Sequence, residues 1–88
     1  MGENIKQVEL TDTVELMISA DYKDRFKAEY YQIEIRYNKL KAMCEKWDQG
    51  ELDFTPTCPR ALYSIQIQAM GTYLATLANR AELEGIEL

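Results

Sequence analysis

From Phe26 to Trp47 the apolar side chains recur on a fixed beat. Phe26, Tyr30, Ile33, Tyr37, Leu40, Cys44 and Trp47 follow one another at steps of 4, 3, 4, 3, 4 and 3. That is a heptad stripe held for three repeats, the mark of a long helix that buries one narrow face. Lys23, Arg25, Lys27, Glu34, Arg36, Lys39, Lys41 and Glu45 fall between the stripe positions and form a solvated face. The pattern predicts a helix over residues 21–48, with Gly50 placed as a left-handed C-terminal cap.

A second long helix is predicted over residues 59–84, started by Pro59 and stopped by Gly85. Its apolar residues make two stripes. Tyr63, Ile67, Met70, Leu74, Leu77 and Ala81 form one, and Leu62, Ile65, Ala69, Tyr73 and Leu83 adjoin it. From Ala61 to Asn79 this helix carries no charged side chain, although 28% of the whole chain is Asp, Glu, Lys or Arg. Such a run is about 28 Å long at 1.5 Å per residue. Gln66, Gln68, Ser64, Thr72 and Thr76 are too many polar groups for a lipid-facing span. The run therefore asks for protein cover on more than one side, and one stripe of it has no partner in the chain.

Ahead of these helices, residues 1–10 have no period and are expected to form a loose arm. Residues 11–19 are expected to form a short helix capped by Thr11 or Asp12. Residues 50–58 connect the long helices, with Phe54 as an apolar plug at the end of the pair and Thr57 or Cys58 as the next cap. The expected fold is all-α: a short N-terminal helix, then an antiparallel helical hairpin about 39 Å long. Hairpins with one uncovered stripe pair into bundles, so a homo-oligomer, dimer or tetramer, is expected. Removing that stripe from water is worth on the order of 10 kcal/mol gross. Gly71 and Ala69 would let two backbones approach closely.

Composition narrows the function. Eighty-eight residues make one small domain, at the size where oligomerisation is a common remedy for a thin core. The net charge of −5 opposes binding to duplex nucleic acid or an anionic membrane. Histidine is absent, which removes Ser-His-Asp and Cys-His catalysis and histidine metal sites. Cys44 and Cys58 read as reduced thiols of a cytoplasmic protein. Asp48, Glu51 and Asp53, and likewise Glu82, Glu84 and Glu87, lack the spacing of a cation loop and read as solvated carboxylates. No enzyme, metal or cofactor is expected.

The candidate binding residues are aromatic and basic. There are six tyrosines, and seven of the ten basic residues lie between Lys23 and Lys46. A tyrosine offers a flat face and a hydroxyl, suited to a nucleobase or to a protein surface. Arg60 lies in the first turn of the last helix, where backbone N–H groups and a guanidinium together suit a phosphate. Tyr22, Arg25, Tyr31, Thr57, Arg60 and Tyr63 are the candidate ligand-binding residues.

The segments DYKDRFKAEYYQIEIRYNKLKAMCEKW, LDFTPTCPRALY, QAMGTYL, ANRAELEG and GIEL resemble a family of small helical proteins of phages and prophages, in Gram-positive gut bacteria and among crAss-like phages. The likeness covers residues 11–88. By size, helicity and phage origin it implies an anti-CBASS-type sponge: an oligomer in the bacterial host cytoplasm that binds a cyclic dinucleotide or trinucleotide immune signal without cleaving it. The alternative is a helical homo-oligomer whose aromatic surface docks a host or phage protein.

Overall fold

The computed structural model describes residues 8–88. Helices are the only regular elements among them: a 3₁₀ turn over Leu10–Thr13, then α1 over Val14–Met17, α2 over Tyr22–Asp48 and α3 over Arg60–Glu84. Most of the expected N-terminal arm, residues 1–7, lies outside the described residues.

The short N-terminal helix is tighter than the sequence suggests. Thr11 and Asp12 do not cap it. The Glu9 N–H donates to the Asp12 carboxylate at 2.9 Å, so Asp12 reaches back from inside the turn. A 3₁₀ turn of this kind suits a short polar stretch with few good helix formers. Thr13 is its anchor: buried, its hydroxyl donates to the Leu10 carbonyl at 2.7 Å and accepts from the Gln32 amide at 2.9 Å.

Asp21 opens α2 in an extended conformation, and its carboxylate accepts from the Lys23 N–H at 3.0 Å. This satisfies one of the donors that every helix start leaves free. Both long helices end alike. Gly50 and Gly85 have φ of 73° and 71°, a region closed to most side chains. Beyond each, a chain N–H returns to the last helical turn: Glu51 to the Lys46 carbonyl at 2.8 Å, and Ile86 to the Ala81 carbonyl at 2.8 Å. These are Schellman closures. The second also folds Ile86 onto Ala81, so the C-terminal GIEL segment contributes a core residue.

Contacts between the long helices climb α2 while descending α3. Tyr22 meets Glu84, Glu29 meets Tyr73, Tyr37 meets Gly71, and Asp48 meets Arg60. The stripe from Phe26 to Trp47 faces α3, with Phe26 and Cys44 buried and the remaining members half-buried. The core lies mostly at one end, where Phe26, Leu77, Ala81 and Ile86 are buried together and Tyr30 and Ile33 pack against them. Among the described residues α3 packs on no other element than α2, while α2 also carries the 3₁₀ turn and α1.

Three expectations need correction. Pro59 is the N-cap of α3 rather than its first helical residue. It has an extended ψ of 147°, and neither Thr57 nor Cys58 caps the helix. Phe54 is not a plug, because the connection folds against the outer side of α2. There Phe54 stays 54% exposed beside Leu52, Lys39, Ala42, Met43 and Lys46. Gly71 makes room for a ring and not for a second backbone: a Cβ there would lie 3.2 Å from the Tyr37 hydroxyl oxygen. That geometry gives a prediction. Gly71→Ala should gain about 1 kcal/mol of helix propensity only when Tyr37→Phe removes the obstructing oxygen. Urea melts of the single and double variants measure the difference.

Candidate functional site

The six candidate residues divide between the two ends of the hairpin. Tyr22 and Arg25 are in the first turn of α2. Thr57, Arg60 and Tyr63 are at the connection, and Tyr31 lies between. The ends of α2 are about 39 Å apart at 1.5 Å per residue. One chain therefore does not bring the six together, contrary to a single site.

At the connection end, the guanidinium of Arg60 is already held. Its Nε and Nη2 donate to the two carboxylate oxygens of Asp48 at 3.0 and 3.1 Å, and its Nη1 donates to the Ser64 hydroxyl at 2.8 Å. It also lies over the Trp47 ring, 5.9 Å from its centre. Trp47 meets Tyr63 edge to face at 5.5 Å. The hydrogen bond from Arg60 holds the Asp48 carboxyl below its usual range and raises Arg60 in return. Beside this cluster an open recess of ≈330 Å³ is lined by Cys58, Leu62, Tyr63 and Gln66. The arrangement has what a flat, anionic ligand requires: aromatic edges, an apolar wall and a bidentate donor. Arg60 is not a free phosphate donor, since a ligand must displace Asp48 from it. Thr57 is exposed next to the recess.

At the opposite end Tyr22 joins α2 to the end of α3. Its hydroxyl donates to Glu84 at 2.8 Å and accepts from Arg80 Nη2 at 2.9 Å. Arg80 also bonds Glu84 at 3.2 Å and covers the Phe26 ring, 5.0 Å from its centre. Lys23 Nζ donates to the Gly85 carbonyl at 3.4 Å, and Arg25 donates to the Ser19 carbonyl at 2.8 Å. Tyr31 is half-buried and packs edge to face on Tyr30 at 5.7 Å.

This second cluster sets a pH response. The hydrogen bond from Tyr22, followed by Arg80, lowers the Glu84 carboxyl, and the same bond to Glu84 raises the Tyr22 hydroxyl. Glu84 and Asp48 thus stabilise the fold above their unfolded values of 4.5 and 3.8, and this contribution fades as pH falls through the lower folded values. Tyr22 behaves oppositely. Its contribution is complete below 10.0 and is lost as pH rises through the raised folded value. Tyr22→Phe should weaken the alkaline limb of thermal melts and leave the acid limb supplied by Asp48. The remaining alkaline loss comes from Tyr30, raised by burial and then by Glu34.

A family model described as Sequestin matches residues 20–83. The chain belongs to the Sequestin family. The matched segment takes in both clusters and both long helices. The family name describes binding and retention rather than turnover. Neither a curated protein nor a solved structure matches the chain. No helix among the described residues is long and apolar enough to cross a membrane. Nor do three acidic or cysteine side chains gather where they could hold a metal ion; Asp48 is bound to Arg60 instead.

Trp47, Asp48, Ser64, Arg80 and Glu84 complete the clusters and were not among the sequence candidates. Trp47 was legible only as a core position. Asp48 and Arg60 close the two ends of the connection, and an Asp–Arg pair flanking a loop between two long helices is the signal that could have found them.

Proposed function

We propose that this member of the Sequestin family acts as a phage anti-defence protein: an antiparallel helical-hairpin homo-oligomer that binds a cyclic dinucleotide or trinucleotide immune signal and holds it uncleaved. The observation that carries the reading is the Arg60–Trp47–Tyr63 cluster beside its open recess. Here aromatic edges suit a base, and Arg60 can exchange the Asp48 carboxylate for a phosphate, which presents the same pair of acceptor oxygens. Tyr22, Arg25, Tyr31 and Thr57 supply further aromatic and polar contacts once a second chain approaches. Retention needs no general acid, base or nucleophile, and the family name fits that role.

Titration calorimetry against a panel of cyclic di- and trinucleotides tests the proposal. Saturable heat with the nucleotide recovered intact by chromatography supports it, and a panel without heat sinks it. Arg60→Gln should weaken binding about tenfold to a hundredfold, the range for losing one charge-assisted bidentate contact. The exposed apolar side of α3, with Leu62 and Ile65, favours a second reading: an oligomer that docks a host or phage protein. That reading predicts a silent calorimetric panel and one stoichiometric protein partner retained by the immobilised chain.

A further inference from the structure

The part of α3 without charge is also the part without cover. Of its 25 residues only Leu77 and Ala81 are buried, both near its C-terminal end. Leu62, Ile65 and Tyr73 are 54%, 63% and 42% exposed, and Ala69 between them is exposed as well. These four form one side of the helix. The midpoint of the uncharged run is residue 70, next to Ala69.

We infer that two copies pair α3 against α3, antiparallel, about a twofold axis at Ala69, and that each ligand site is shared between the two chains. An axis at Ala69 sets Ile65 against the partner's Tyr73 and Leu62 against the partner's Thr76, and no charged side chain meets the pairing anywhere along the run. The smallest side chain of the stripe lies where the helices come closest. A parallel pairing would bring Arg60 beside the partner's Arg60. The antiparallel one brings it to the acidic end that carries Glu82 and Glu84, and it opposes the helix dipoles favourably. A helix face of this length removes about 500 Å² per copy, or about 1,000 Å² in all, which reaches the lower bound for a specific interface.

The pairing has a consequence for the site. Within one chain Tyr22 and Arg25 lie at the far end from Thr57, Arg60 and Tyr63. In the dimer they come beside the partner's Thr57, Arg60 and Tyr63, because the end of α3 that holds Tyr22 overlies the start of the partner's α3. Two composite sites result. That they hold a cyclic nucleotide rests on the function proposed above; the pairing itself does not.

Cross-linking decides the pairing without any ligand. Cys58 is exposed, and Lys23 is tied to Gly85 at the other end of the hairpin, so a short maleimide–succinimide reagent can join Cys58 to Lys23 only between chains. In a Cys58→Ser background, Ala69→Cys should oxidise to a disulfide-linked dimer, while Ala75→Cys, two-thirds of a helical turn away, should not. A monomeric mass by light scattering, or Ala75→Cys oxidising in place of Ala69→Cys, overturns the pairing. The shared site is tested by mixing two variants, Tyr22→Ala/Arg25→Ala and Arg60→Ala/Tyr63→Ala, against whichever panel nucleotide the wild type binds. Each alone should lose binding, and the mixture should recover about one site in four, since half of the dimers are mixed and each of these has one intact site. Sites built within single chains recover none. A wild type that forms the Cys58–Lys23 link but binds no nucleotide keeps the pairing and rejects the ligand.

Discussion

Leu77→Ala is expected to destabilise the protein by about 2–5 kcal/mol, the range for truncating a fully buried leucine. Leu77 is 1% exposed and lies among Phe26, Ala81 and Ile86, with Tyr30 and Ile33 behind them. No other residue of α3 is so deeply enclosed, and no second core exists among the described residues to absorb the loss. A chain of this size has a total stability of about 4–13 kcal/mol. One cavity thus removes a large share of it, and the melting temperature should fall by about 10–25 °C. Leu83 provides the control: on the same helix but 87% exposed, its replacement by alanine should move the melting temperature by less than about 2 °C. Equal shifts for the two variants, read by circular dichroism, would contradict the placement of the core.

The stripe on α2 was legible because a 3.5-residue period survives any detail of packing: Phe26, Cys44 and their neighbours need only face one partner. The two glycine stops were equally legible, since a positive φ after a long amphipathic run leaves few other residues possible. The cap of α3 was not. Thr57 and Cys58 precede a proline that is itself extended, and nothing in their identity says that the connection turns outward before the helix begins. Phe54 was misplaced for the same reason, because an apolar residue in a loop does not show which side of a helix it will meet. For the site, residue chemistry drew out Tyr22, Arg60 and Tyr63 singly but could not group them. Asp48 occupying Arg60 depends on the path of the connection. The separation of the two clusters follows from helix length, which was available, but the shared site depends on a second chain that a single sequence does not display.

Ile65→Asp is expected to convert the dimer into monomers and to abolish ligand binding in the same step. Ile65 is 63% exposed in the isolated hairpin, so the change should cost the fold only about half a kcal/mol of helix propensity. In the pairing about Ala69 the new carboxylate faces the partner's Tyr73 twice, once on each side of the axis, with no basic residue between Arg60 and Arg80 to answer it. Burying two unpaired carboxylates costs several kcal/mol even after relaxation, which corresponds to a dimer dissociation constant raised more than about a hundredfold. Light scattering should give half the wild-type mass while the helical signal and melting profile persist. Ala75→Asp, on the other side of α3, should remain dimeric. If Ile65→Asp leaves the mass unchanged, the uncharged face has another use; if it gives monomers that still bind nucleotide, each hairpin holds a complete site. Loss of mass and of binding together is the result that ties the uncharged run of α3 to both assembly and function.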